Sequence, residues 1–142
     1  MINYPIVFKG GAEGPSGKNT PWDVYSSSFE TTCAVPPEFE GSGGTFSPED
    51  FFLLALENCF IATFKVFAEY SKFEYERIEI TSTLTVDKKD SAQVLMKEIH
   101  LNITLSGVKD ARKADLLTKK VIAGGFILQS VKTDILHTLT VN

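Results

Sequence analysis

One long apolar segment constrains the fold of this chain more than any other feature of its sequence. Ser47-Pro-Glu-Asp50 is a typical helix start, because serine can cap, proline suits the first turn and two carboxylates face the positive end of the helix dipole. The spacing predicts a helix over residues 48–73, with six of the eleven phenylalanines and apolar side chains on nearly every face. Such a helix must be buried on most sides, and we expect the chain to oligomerise to cover it.

The same segment does not predict a membrane span. Its longest unbroken apolar run, residues 51–56, is far shorter than the ~20 residues that cross a bilayer. The amino terminus lacks the basic and apolar regions of a signal peptide. We therefore expect a cytoplasmic protein whose two cysteines, Cys33 and Cys59, are free thiols.

The rest of the sequence predicts an α+β chain with a single domain, residues 1–142. Residues 78–86 and 99–105 alternate between apolar and polar side chains, as half-buried strands do, and the segment between them indicates a hairpin. Other elements follow from capping and turn residues: a strand at 6–8, two strands or one bent strand at 22–35, a helix from 111 that Asp110 caps and Gly124 ends, a helical turn through Ser130, and a strand at 134–141.

Charge and motif content exclude several classes of function. A net charge of −4 with two arginines gives no clustered basic face for a nucleic acid. Neither glycine cluster, residues 10–14 or 41–44, continues into a phosphate-binding loop. His100 and His137 have no further ligands at metal-binding spacing, and two cysteines are too few for a metal knuckle. We expect no nucleic acid, no metal and no cofactor.

Cys59 is a candidate nucleophile in the middle of the predicted helix. A reactive thiol needs a nearby cation, a helix amino terminus or a metal to favour the thiolate. Cys59 lies about three turns from the helix start, beyond the reach of the dipole. Taken alone, both Cys59 and Cys33 are therefore predicted to pack as small hydrophobic side chains.

In order along the chain, these motifs resemble the OsmC/Ohr family of osmotically induced and organic-hydroperoxide-resistance proteins. Ser47-Pro-Glu followed by Cys59-Phe resembles the segment that carries the family's first cysteine. Gly10-Gly-Ala-Glu-Gly resembles its Gly-Gly-Arg-x-Gly, and residues 37–45 resemble its Pro-x-x-x-Gly-Gly. Residues 127–130 match the region around its second cysteine, so the resemblance covers nearly the whole chain.

The resemblance implies an intertwined homodimer of α+β fold, with long cysteine-bearing helices packed between curved antiparallel sheets. It also implies thiol-dependent reduction of organic hydroperoxides. In that chemistry a peroxidatic cysteine becomes a sulfenic acid, and a second cysteine closes it into a disulfide. An arginine and a glutamate assist, and a dithiol reductant restores the thiols.

Carried onto this sequence, the resemblance assigns Cys59 as the peroxidatic cysteine and Glu49 as the assisting glutamate. Two other positions depart from the family pattern, because Ala12 stands where the arginine is expected and Gly125 where the resolving cysteine is expected. Lys9 or Lys18 could replace only the charge of the arginine. Substrate contacts are expected from three residues: Phe52, Gly125 and Phe126.

Three functions remain open at this point. The first is a one-cysteine hydroperoxide reductase in which an external thiol or dithiol, or Cys33, reacts with the Cys59 sulfenic acid and resolves it. The second is a non-catalytic dimer that binds an apolar small molecule, and the third is a redox sensor. Ten helical residues span about 15 Å, so Glu49 could serve Cys59 only from a partner subunit.

Overall fold

The computed structural model describes residues 2–90 and 92–142, which form two compact units, Met1–Phe51 and Phe52–Asn142. The elements in chain order are β1 (Gly10–Glu13), β2 (Trp22–Ser26), β3 (Phe29–Cys33), α1 (Pro48–Tyr70), β4 (Arg77–Lys89), β5 (Gln93–Ser106), α2 (Ala111–Gly124) and β6 (Asp134–Val141). Short 3-10 turns lie at Pro37–Phe39 and Leu128–Ser130, and the second confirms the helical turn predicted through Ser130.

The first unit contains an antiparallel sheet in the order β1-β2-β3. Two strands between residues 22 and 35 are confirmed, but the predicted strand at residues 6–8 is wrong, because β1 runs through the glycine cluster. Gly11 pairs with Tyr25, and a Cβ on Gly11 would lie 2.6 Å from the Tyr25 hydroxyl oxygen. The Tyr25 ring thus covers the face of β1 at Gly11, where a larger residue would displace it.

Helix α1 begins as predicted, at a reciprocal capping box. The Asp50 N–H donates to Ser47 Oγ over 3.1 Å, and the Ser47 N–H donates to the Asp50 carboxylate over 2.8 Å. The helix ends at Tyr70, three residues before the predicted end. Lys72 takes a left-handed φ of 51°, and the Phe73 N–H donates to the Ala68 carbonyl over 2.8 Å, which closes the helix.

The second unit contains a sheet in the order β4-β5-β6. The predicted hairpin is confirmed by the antiparallel pairing of β4 with β5. Strand β6 pairs with β5 in parallel, so this sheet is mixed where the resemblance implied antiparallel strands. The parallel pairing requires a crossover connection, which α2 provides between β5 and β6. The predicted cap of α2 is confirmed, since the Lys113 N–H donates to Asp110 Oδ1 over 3.0 Å.

The core of the second unit is one cluster built from both helices and the inner face of the sheet. Ser82, which breaks the apolar alternation of β4, pairs with Leu101 in the core-facing row. Its hydroxyl donates to the carboxylate of Glu57 on α1, so a polar pair accounts for the exception. The fully buried large side chains of this cluster include Leu56, Phe60, Phe64, Ile99, Leu101, Ile103, Leu105, Val121 and Leu128.

Helix α1 buries a single stripe of side chains within its own chain, although we predicted burial on most sides. The buried residues follow helical spacing: Leu56, Cys59, Phe60, Phe64 and Ala68. Val66 is 49% exposed and Tyr70 is 85% exposed. By length and composition alone α1 could also cross a membrane, a criterion that core helices of soluble proteins meet as well.

Candidate functional site

Cys59 lies in the buried stripe of α1, in the second unit. The residue is 7% exposed, and its Sγ lies 4.0 Å from Thr63 Oγ1, one helical turn further on. Its thiol is free. The expectation that Cys59 is packed is therefore confirmed.

Gly125 faces the Cys59 sulfur. A Cβ placed on Gly125 would lie 3.3 Å from Cys59 Sγ. Gly125 follows the last turn of α2, where its N–H donates to the Val121 carbonyl over 2.8 Å, and its φ of −68° and ψ of 115° suit any residue. The structure thus brings together the two positions that the resemblance assigns to a cysteine pair, and at position 125 only the side chain is missing.

The groups around this pair are neutral. The Thr63 hydroxyl lies next to Cys59 Sγ. A Cβ placed on Gly125 would lie 2.9 Å from a methyl group of Leu128 and 3.2 Å from the Val121 carbonyl oxygen. None of these groups carries the positive charge that favours a thiolate. The sulfur is therefore packed against uncharged groups at the carboxyl end of α2.

The three residues expected to contact substrate occupy different surroundings. Phe52 lies seven residues before Cys59 on α1, about two turns away, and packs against the core cluster. Phe126 is 79% exposed, beside the buried Gly125. Of these three residues, the structure places Gly125 against the sulfur.

In the first unit, Glu49 lies near Cys33. One carboxylate oxygen of Glu49 is buried, and it has no hydrogen-bond partner within residues 2–90 and 92–142. Cys33 is 2% exposed, and burial raises the pKa of its thiol. The Ala34 backbone N–H lowers that pKa, whereas the carboxylates of Glu49 and Asp50 raise it further. Cys33 is therefore packed, as predicted, in surroundings that oppose its reactivity.

Sequence reasoning missed the link between Cys33 and the helix start. The end of β3 bridges Phe46, and the Ala34 N–H donates to the Phe46 carbonyl over 2.9 Å, one residue before the cap of α1. This pairing between distant segments has no local sequence signal. Glu49 and Cys59 lie ten residues apart in the same continuous helix, or about 15 Å along its axis.

The expected arginine has no counterpart at its position. Ala12 lies in β1, opposite Val24. Lys18, a candidate for the missing charge, lies 3.7 Å from the Glu40 carboxylate on the surface of the first unit. Within residues 2–90 and 92–142, no group of three or more His, Cys, Asp or Glu side chains could hold a metal ion.

The first unit also contains a shallow, largely apolar groove that sequence reasoning did not find. Its volume is about 430 Å³. Strands β2 and β3 and the first turn of α1 contribute to it, and residues from elements so far apart in sequence leave no local pattern. Its lining consists of Val24, Tyr25, Ser26, Phe29, Glu30, Thr31 and Phe51.

A meander of three short strands, a long helix with a buried cysteine, and a second helix whose end faces that cysteine define a recognisable class of protein. The family model described as OsmC-like protein matches residues 41–140. The chain therefore belongs to the family of OsmC-like proteins, as the resemblance implied. No curated protein sequence matches the chain.

Solved structures of the family share the fold at low sequence identity. An OsmC-like protein of unknown function from Vibrio cholerae is 12% identical, with a TM-score of 0.83 over 95% of this chain and 99% of its own. The organic hydroperoxide resistance protein OsmC of Legionella pneumophila is 20% identical, with a TM-score of 0.76 over 97% and 99%. A putative organic hydroperoxide resistance protein of Vibrio cholerae, with captopril bound in one active site, is 20% identical, with a TM-score of 0.75 over 99% and 96%.

Proposed function

We propose that this protein reduces organic hydroperoxides, with Cys59 as its only redox cysteine and an external thiol as the reductant. The observation that carries the proposal is the distance of 3.3 Å between Cys59 Sγ and the position of a Cβ on Gly125. It supports Cys59 as the peroxidatic cysteine and Gly125 as the empty resolving position. The structural relatives named as organic hydroperoxide resistance proteins support the choice of substrate.

The proposed reaction has three balanced steps. The Cys59 thiolate attacks the terminal peroxide oxygen and the O–O bond breaks, which gives a Cys59 sulfenic acid and an alkoxide that takes up a proton from water to leave as the alcohol. A thiol then attacks the sulfenic sulfur, so an S–S bond forms and the oxygen leaves as water. A second thiol attacks the mixed disulfide, which regenerates the Cys59 thiol and releases the oxidised reductant as a disulfide.

Two observations support an external thiol in the second step. Cys33 is buried, and its raised pKa makes it a poor attacking group in its own unit. The related Vibrio cholerae protein binds captopril, a compound with a thiol group, in one of its active sites. Both a monothiol and a dithiol satisfy the stoichiometry.

Substitution of Cys59 tests the proposal. We expect Cys59→Ser to reduce thiol-dependent consumption of cumene hydroperoxide to the background rate, because a serine hydroxyl cannot replace the thiolate as nucleophile. The matched control is Cys33→Ser, which should retain most of the activity of the unsubstituted protein. Equal rates for Cys59→Ser and the unsubstituted protein would rule out hydroperoxide reduction at this site.

We also propose that the protein is a cytoplasmic homodimer in which α1 is covered by the second copy. The support is the exposure of apolar side chains on α1, such as Val66 at 49%, on a helix that carries few charges. In such a dimer Glu49 could reach Cys59 of the partner subunit. Sedimentation equilibrium at micromolar concentration should give twice the monomer mass of 15.7 kDa. A monomer with full activity would contradict both the dimer and the shared site.

The second candidate function is binding of an apolar small molecule without turnover. The open groove of about 430 Å³ in the first unit favours it, because its mostly apolar lining can contact a small apolar ligand. This candidate is preferred if peroxide consumption does not depend on Cys59.

A further inference from the structure

We propose that the hydroxyl group of Thr63 donates a hydrogen bond to the Cys59 sulfur and thereby favours the thiolate form of this cysteine. The inference rests on the proposed function and names a further residue of the same site. A thiolate is stabilised by a neighbouring cation or by a hydrogen-bond donor, because both interact favourably with the negative charge on sulfur. The groups that pack against Cys59 in the described chain are uncharged, and among them Thr63 supplies a hydroxyl donor.

The contact lies within one turn of helix α1. Residues four apart on a helix are neighbours on the same face, so the backbone of α1 itself holds Thr63 beside Cys59. Thr63 Oγ1 lies 4.0 Å from Cys59 Sγ, a long separation between two neutral groups. In the thiolate only the hydroxyl can donate, and hydrogen bonds to a charged acceptor are shorter and stronger. A small rotation of the two side chains therefore closes the contact when the sulfur ionises.

The direction of the Thr63 hydroxyl supports this assignment. Side-chain donors in a helix often bond the backbone carbonyl four residues earlier, as Asn58 does when its Nδ2 donates to the Leu54 carbonyl over 2.8 Å. For Thr63 the hydrogen-bond partner four residues earlier is the side chain of Cys59. The hydroxyl is thus directed at the reacting atom of the proposed function.

The elements around Cys59 also contribute titratable groups, which a pH measurement has to take into account. On α1, the Glu57 carboxylate accepts a hydrogen bond from Ser82. On α2, Lys120 lies over an aromatic ring of α1, and on β6 His137 lies in the row that faces the core. These three groups stay the same in every protein compared, so a difference between the proteins reports the hydroxyl group.

Thr63→Val tests the inference, because valine has the shape of threonine without its hydroxyl. The parent protein is Cys33→Ser, in which Cys59 is the only cysteine, and the thiolate is followed by its absorbance at 240 nm as the pH is raised. A protein with serine at both cysteine positions supplies the blank for tyrosine. The pH midpoint of the thiolate signal should rise by about one unit in Thr63→Val, since a hydrogen bond to a charged group is lost. Equal midpoints would overturn the proposal.

Three further variants separate the hydroxyl from the packing of the side chain. Thr63→Ser keeps the donor and should shift the midpoint by less than half as much as Thr63→Val, whereas an equal shift would contradict the proposal. Thr63→Ala removes the donor as well and gives the same comparison if the valine variant does not fold. The matched control is Thr81→Val, which removes a hydroxyl from an exposed position on β4 and should leave the midpoint unchanged.

The rate of Cys59 oxidation separates this inference from the proposed function. At neutral pH, Thr63→Val should react with cumene hydroperoxide about threefold more slowly, because a thiolate fraction up to about tenfold lower is partly offset by the greater nucleophilicity of a more basic sulfur. A raised midpoint in a protein that consumes no hydroperoxide would refute the proposed function and support the role of Thr63. Consumption that depends on Cys59, with the same midpoint in both proteins, would refute the role of Thr63 and leave the proposed function standing.

Discussion

Gly125→Cys should convert Cys59 into one half of a disulfide. The introduced Cβ lies 3.3 Å from Cys59 Sγ, close to the separation of about 3 Å found in disulfides, and the backbone at position 125 suits a cysteine. After one equivalent of cumene hydroperoxide, the Cys59 thiol and the introduced thiol should disappear from a titration without added reductant, which leaves the Cys33 thiol. Since the bond closes a loop of about 65 residues, the oxidised variant should gain about 4 kcal/mol of stability, reversible by dithiothreitol.

The matched control for this variant is Gly124→Cys, which introduces a thiol one residue away at an exposed position. It should retain its titratable thiol after mild oxidation and show no reversible gain in stability. Three free thiols in oxidised Gly125→Cys, instead of the Cys33 thiol alone, with the same urea midpoint under oxidising and reducing conditions, would show that position 125 does not face the sulfur. Gly125 would then not be the position that the resemblance assigns to the resolving cysteine.

Phe64→Ala should remove a large part of the stability of the second unit. Phe64 is fully buried, and its ring centroid lies 5.3 Å from that of Tyr75, 5.9 Å from that of Phe60 and 6.0 Å from that of Phe73. Loss of a buried phenylalanine typically costs 3–5 kcal/mol, of the order of the total stability of many domains. Urea denaturation followed by circular dichroism should show this decrease in the free energy of unfolding.

A second phenylalanine provides the control for that result. Phe126 is 79% exposed, so Phe126→Ala should change the free energy of unfolding by about 0.5 kcal/mol or less. A loss below about 1 kcal/mol in Phe64→Ala would mean that the aromatic cluster does not hold α1 against the sheet. The two substitutions remove the same side chain, so the difference between their losses in free energy of unfolding measures the contribution of burying a phenylalanine.

The two cysteines lie in different chemical surroundings. Cys33 is enclosed beside the carboxylates of Glu49 and Asp50, and its raised pKa keeps the thiol protonated at neutral pH. Cys59 instead lies opposite Gly125, a residue without a side chain. Oxidation chemistry in this chain is therefore expected at Cys59, with Cys33 as a packed thiol.

Much of the fold could be predicted because its signals are local. Ser47 and Asp50 are three residues apart and cap the same turn, so the start of α1 can be recognised without knowledge of the rest of the chain. The alternation around Ile99–Leu105 reports which face of β5 is buried, because side chains alternate along a strand. The end of α1 was harder to predict, since a left-handed residue at Lys72 has no strong sequence signal when it is not glycine.

The sequence by itself determined the two helices, the long hairpin, the packed state of both cysteines and, through ordered motifs, the family. Only the tertiary structure decided that β1 runs through the glycine cluster, that β6 joins β5 in parallel, and that Glu49 lies near Cys33 in its own unit. It also decided what faces Cys59, because Gly125 is 66 positions away along the chain. Local propensities act over a few residues, whereas the approach of Gly125 to Cys59 is created by packing between α1 and the end of α2.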